Sequence, residues 1–188
     1  LIGIALVRAK PDSGGEPLIA RIVETEAYLP GDAASHAFAG RTARNATMFG
    51  ERGFAYVYFI YGNHYCVNVT SETAGVGAAV LIRAAEPIAG HALMVAERGE
   101  RVAARDLLRG PGRLTRALRI DRTHDGVDLC GSREIWLAQA PQNEPMTIVT
   151  GPRIGITKNA DAPLRFYAAG NRFVSRTNLQ DSAFRARL

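Results

Sequence analysis

Lysine is nearly missing from this chain: of 23 basic residues only Lys10 and Lys158 are lysines, and the other 21 are arginines. Arginine's bidentate fork suits phosphate. A GC-rich coding sequence would produce the same bias, so the excess alone does not decide a function. Cysteine is scarce as well. Cys66 lies in the apolar CVNV run and Cys130 in the loop-like DLCGS, too few and too scattered for a metal knuckle. The four histidines, His36, His64, His91 and His124, show no ligand spacing with one another or with a cysteine. No metal or other cofactor is expected. No run of about 18 apolar residues exists and no basic-then-apolar leader precedes LIGIALVRA, so no membrane span is expected and the reading is a soluble, intracellular protein. Residue 1 is leucine, which points to a trimmed start.

What is present is a domain-sized, basic chain. Its 188 residues fit a single domain, spanning 1–188, large enough to bury a core. The formal net charge is +5, and a basic face gains affinity for nucleic acid by releasing counterions, an affinity that falls as salt rises. Four of the six tyrosines, Tyr56, Tyr58, Tyr61 and Tyr65, fall within ten residues of AYVYFIYGNHYCVNV. The run reads as two strands, Ala55 to Ile60 and Tyr65 to Thr70, joined by a turn at Tyr61-Gly62-Asn63-His64, where Gly and Asn tolerate positive φ. Tyr61 then sits at the tip of a hairpin. An outward ring there is suited to wedge into a base step of duplex DNA; the competing reading is a tyrosine-rich strand packed in a core.

Alternation runs through IALVRA, LIARIVETEAY, FAYVYFIY, YCVNVT and AAVLIRAAEP, which predicts strands. Residues 30–53 interrupt them as a long loop with a short helix near Ala43 to Phe49, and long ordered loops are usually functional. Ile88, Leu93, Met94 and Val95 predict a helix from Ile88 to Gly99, continued by Val102 to Leu108. Gly110-Pro111 opens another short helix that closes near Arg116 and Arg119. THDGVD is a turn, EIWLAQ a strand, TGPRIGITKNADAPLRFYAAG a loop feeding a strand, and FVS a short final strand. The expected fold is mixed α/β in one domain, a curved, largely antiparallel sheet with flanking short helices and a protruding β-hairpin.

A period of two puts Ile22, Glu24, Glu26 and Tyr28 on one face of IVETEAY and Val23, Thr25 and Ala27 on the other. Two acids on one face need a cation, a water network or a substrate to offset their repulsion. Glu24 reads as the partner of an arginine; Glu26, beside Tyr28 and leading into the long loop, reads as the working acid. A carboxylate that activates water beside a sugar ring gaining oxocarbenium character suits glycosidic hydrolysis. If the leaving base is already cationic, one carboxylate suffices. Arg83 could neutralise Glu24 or hold a water against Glu26. Asn68, an amide inside CVNV, is either a bonder internal to the sheet or a pocket group reading a base edge. His36 by itself reads as an ordinary loop histidine.

VETEAY followed by a histidine ten residues after Glu26, RNxxMF at Arg44 to Phe49, YVYFIYG, NVT, LIRAAEP, GPGRLTRAL and PLRFY together resemble the alkyladenine or 3-methyladenine DNA glycosylase family of the mammalian type. The likeness runs from near Arg21 to Ser175. Each motif is weak alone; their order and spacing carry the resemblance. It implies Glu26 as general base and Arg83 as the residue positioning the water, with Ile154 supplying a backbone carbonyl to that water. Tyr28, His36 and Tyr58 match the walls around an extruded base, Asn68 the amide that disfavours guanine, and Tyr61 the intercalating residue. Asn63 and His64 replace bulkier residues of some relatives, implying polar contacts to the minor groove, and Arg41, Thr42, Gly155 and Lys158 are candidate phosphate contacts. The implied activity is excision of alkylated or deaminated purines from double-stranded DNA, by a monomer that leaves an abasic site, since no lysine lies near the matched site. Two other readings stand beside it: a damage-binding module without catalysis, and a hydrolase of free nucleosides or small glycosides, for which Tyr61 would be superfluous.

Overall fold

The computed structural model describes residues 1–9, 16–141 and 145–175. Eight strands form one curved antiparallel sheet: β1 (Ile4–Arg8), β2 (Leu18–Tyr28), β3 (Ala55–Ile60), β4 (His64–Thr70), β5 (Ala79–Ala89), β6 (Ile135–Gln139), β7 (Ile148–Gly151) and β8 (Arg165–Ala168). The order is β3-β4-β5-β2-β1-β6, with β8 on β2 and β7 on β8. Along one edge of β2, the first half pairs with β1 and the second half, Glu24 to Glu26, with β8. The fold is mixed α/β, as the alternating segments predict. Among the described residues no helix is long and apolar enough to cross a membrane.

Two short helices, α1 (His91–Arg98) and α2 (Pro111–Ala117), cover one face of the sheet. Leu6, Ile22, Val57, Val67 and Ile82 from the strands meet Met94, Leu114 and Leu118 there, all buried. The opposite face at β3, β4, β5 and β2 carries Tyr56, Asn68, Leu81 and Glu26, and it is this face that is left to build a cavity.

Several boundaries differ from the sequence reading. β5 runs on through Ile88, and α1 starts only at His91, after Gly90. Gly90 has φ 79 and sits where a Cβ would meet Leu18 Cδ2 at 2.4 Å, so strand and helix meet at a glycine. Val102 to Leu108 holds only a 3₁₀ turn, Ala104–Asp106, and the helix expected near Ala43 to Phe49 is a 3₁₀ turn over Ala46–Phe49. Arg119 lies beyond α2 with φ 52 and donates from Nε to Glu97 Oε1 at 2.7 Å. FVS is not a strand: Asn171 Oδ1 accepts from Phe173 N at 2.9 Å and its carbonyl from Val174 N, a turn that buries Phe173 and Val174. In the β3–β4 turn the positive φ values fall on Tyr61 (53) and Gly62 (71), not on Asn63. Asn63 N closes the turn on Ile60 O at 3.3 Å.

Candidate active site

One rung of the sheet sets the floor of the site. Tyr56 pairs with Asn68, Asn68 with Leu81, and Leu81 with Glu26, so four side chains from four strands project on the same side. Two residues along, Tyr58 pairs with Cys66, and Arg83 follows Leu81 by the same step. All seven line a cavity of about 340 Å³, within the size range of small-molecule sites.

Arg83 owes its position to an irregularity. Ile22 pairs with Ala85 and Glu24 with Ala84, which skips Val23; Thr25 then pairs with Ile82, which skips Arg83. Bulges of this kind re-aim side chains. Arg83 thereby lies against both acids, Nε 3.5 Å from Glu24 Oε1 and Nη1 3.3 Å from Glu26 Oε1. Arg83 thus lies at ion-pair distance from Glu24, as one of its two alternatives had it, and from Glu26 as well.

The two glutamates are fully buried but differently engaged. Glu24 accepts from Arg165 Nε at 2.6 Å and Ser175 N at 2.8 Å, and it does not line the cavity. Glu26 does, and its partners are the Ile154 amide (2.8 Å to Oε1), the Tyr28 hydroxyl (3.1 Å to Oε2) and Arg83. The contact from Ile154 is thus made by its N–H. Tyr28 is held far toward its neutral, donating form by burial and then by the charge of Glu26.

Aromatic groups form the cavity wall. His36 stands edge-on to Tyr58 with centroids 4.5 Å apart, and Tyr58 lies 5.3 Å from Tyr56. His36 Nδ1 and the Tyr56 hydroxyl are 3.0 Å apart. Burial and then repulsion from Arg44 lower the His36 pKa, while burial pushes the Tyr56 hydroxyl up to about 12 and the Cys66 thiol up to about 11. The wall is accordingly uncharged at neutral pH. Asn68, also buried, donates from Nδ2 to Tyr56 O at 3.0 Å while lining the cavity, so it is at once a bonder within the sheet and a pocket group.

Tyr61, His64 and Gly155 also border the cavity. Tyr61 is 77% exposed and left-handed at φ 53, a conformation that costs a non-glycine residue about 1–2 kcal/mol. Its ring lies 5.8 Å from that of His64. Asn63 does not border the cavity; it lines a neighbouring depression. Arg41, Thr42 and Lys158 are exposed and outside the cavity lining; Thr42 is bound through its amide and hydroxyl to Asn45 Oδ1.

Sequence reading missed the groups that hold these walls. Asn45 Nδ2 donates to the carbonyls of His36 (2.8 Å) and Gly40 (3.0 Å), closing the loop that carries His36. Arg153 pairs with Asp32 through both Nη atoms, donates to Ala27 O at 2.9 Å and places its guanidinium 4.7 Å from the centre of the Tyr28 ring. The only signals were position: Arg153 directly precedes Ile154, and Asp32 stands between Tyr28 and His36.

The family model for methylpurine-DNA glycosylases matches residues 1–172. A protein of Mesorhizobium japonicum with the name "Putative 3-methyladenine DNA glycosylase" is 53% identical over 93% of this chain and 82% of its own length. Proteins of the same name from Methanoculleus marisnigri and Carboxydothermus hydrogenoformans are 52% and 44% identical, over 83% and 94% of this chain and 82% and 90% of theirs. The chain is therefore a DNA N-glycosylase, a hydrolase of N-glycosyl bonds that works in the repair of damaged DNA. It belongs to the methylpurine-DNA glycosylase family.

Proposed function

We propose that the protein removes alkylated or deaminated purines, of the 3-methyladenine, 7-methylguanine, hypoxanthine and ethenoadenine class, from duplex DNA by extruding the nucleotide into the cavity. The supporting observation is Glu26 on the cavity floor, steadied by Arg83, the Ile154 amide and the Tyr28 hydroxyl. Extrusion costs a few kcal/mol, and stacking on aromatic rings returns about 1–3 kcal/mol per base. Tyr28, Tyr58 and His36 supply rings, and Tyr61 fills the space vacated in the duplex. Electron-rich ring faces favour a cationic purine.

In the hydrolytic step Glu26 takes a proton from water as its oxygen bonds to C1′. The C1′–N bond breaks and its electron pair leaves with the base, which neutralises a cationic purine. The sugar is left with a hydroxyl at C1′, an abasic site. Lys158 lies outside the cavity lining, in keeping with water as nucleophile and no strand cleavage.

The test is base release from lesion duplexes with Glu26→Gln as control. The variant should bind the lesion duplex and lose about 10²–10⁴-fold in rate, the range for a positioned acid–base group. Equal turnover in the two proteins would overturn the reading.

A further inference from the structure

Beside the cavity lies a second depression of about 390 Å³ that shares His64 and Pro111 with it. Asn63 and His64 of the β3–β4 turn form one side, and Arg98, Arg109, Arg113 and Arg116 line the rest. Among the described residues no carboxylate lines it. Of the nearby acids, Asp106 Oδ1 takes one trough arginine, Arg109, through Nη1 at 2.9 Å, and Glu97 Oε1 takes Arg119 Nε at 2.7 Å.

The arginines are anchored by their stems. Arg98 Nε donates to Leu107 O at 3.1 Å and Arg116 Nε to Glu97 O at 2.8 Å. Among the described residues the Nη atoms of both make no hydrogen bond, and Arg113, half exposed, comes only within 3.9 Å of Asp106. Burial and then repulsion from Arg113 and Arg116 depress the Arg98 pKa. A cationic cluster that repels itself is relieved by an anion, and the planar fork of arginine fits a phosphate's paired oxygens.

We propose that this trough seats backbone phosphates of the DNA strand beside the extruded nucleotide, held by Arg98, Arg113 and Arg116. The choice of DNA over other phosphates rests on the proposed function. The placement is geometric: a strand whose base enters the cavity must carry its sugar–phosphate chain past the cavity mouth, and His64 and Pro111 belong to both hollows. Gly112 lets His64 pack directly against α2, since a Cβ there would meet His64 Cδ2 at 2.3 Å.

The experiment measures duplex affinity against salt, with and without a lesion, for wild type, Arg113→Ala, Arg116→Ala and Arg133→Ala, the last an exposed arginine outside the trough. Each trough variant should weaken both duplexes alike and reduce the slope of log K against log salt by about 1, and Arg113→Lys should recover most of the slope. Arg133→Ala should keep the wild-type slope. Slopes equal to wild type in the trough variants, or an equal loss in Arg133→Ala, would overturn the proposal. Inorganic phosphate at constant ionic strength should compete no better than chloride; strong competition abolished by Arg113→Ala would assign the trough to a free anion instead. Base release is scored separately: unchanged slopes with active wild type sink the trough alone, and a wild type that releases no base sinks the proposed function.

Discussion

Arg153 and Asp32, 121 residues apart in sequence, form a buried bidentate pair that ties the loop after β2 to the loop ahead of β8. Two of the three partners of Glu26 hang on it. Ile154, whose amide reaches Glu26, is the next residue along, and Tyr28, whose hydroxyl reaches Glu26, lies under the Arg153 guanidinium.

Arg153→Ala should therefore slow single-turnover base release by about 10²-fold, the scale of a misplaced reacting group, while affinity for lesion duplex is retained. Removing one partner of a buried pair should also cost about 3–5 kcal/mol of stability, so rates are to be compared at a temperature where melting shows both proteins folded. A variant that is less stable but equally fast would confine the pair to a structural role.

The same pair sets an acid dependence. Burial pushes the Asp32 pKa up, but hydrogen bonds from Arg153, Asn159 and the Ala34 amide outweigh it and hold the pKa at about 2, against 3.8 ordinarily. With the folded pKa below the unfolded one, the stabilisation is complete above about pH 4 and drains away as pH falls through about 2. Denaturant midpoints of wild type and Asp32→Asn should thus differ most near neutrality and converge in acid. A difference independent of pH would count against this assignment.

Glu24 and Glu26 should respond oppositely to the same change. Glu24→Gln strips the carboxylate from the nearly inaccessible Arg165, and about 3–5 kcal/mol of stability should go with it. Glu26→Gln should leave the larger share of stability and remove turnover. Chemical denaturation and base release on both variants decide the matter, and a Glu26→Gln protein less stable than Glu24→Gln would reverse the assignment.

His36 gives a pH test of lesion charge. Its lowered pKa keeps it neutral near pH 7; that neutral form supports the fold above the unfolded pKa of about 6.5 and is lost as pH falls through the lowered value. Once protonated, it places positive charge against a base that is itself positive. The ratio of 7-methylguanine release to hypoxanthine release should fall toward acid pH, and Arg44→Ala should shift that fall to higher pH. Under the proposed mechanism both lesions use Glu26, so its contribution to the rate divides out. A ratio constant across about pH 5–8 would refute the role.

Much of the sheet was legible because half-buried strands alternate. LIARIVETEAY, AYVYFI and AAVLIRAAEP announced β2, β3 and β5 by pattern, and Glu26 could be singled out from Glu24 by its place beside Tyr28 and the long loop. The partners of those acids were not legible. Arg165 reaches Glu24 across 141 residues, and among 21 arginines no local rule selects one. The helix boundary failed at Ile88 for a related reason: apolar spacing there serves a strand that runs on to Ala89, and only contact with Leu18 makes Gly90 the breakpoint. β7 escaped notice because IVTG shows no apolar–polar alternation and runs straight into Gly151-Pro152.

The slip at Val23 in β2 is undone one step later by Arg83 in β5, and beyond both the strands run in their former phase. Sidedness in a pleated ribbon is a matter of parity. Had Val23 taken a rung of its own, Glu24 and Glu26 would share the face of Ile22, as an unbroken period of two would have it, with both acids in the oil beneath the helices. Whether this polypeptide has an acid in its hollow or an aliphatic is thus decided by an odd or even count.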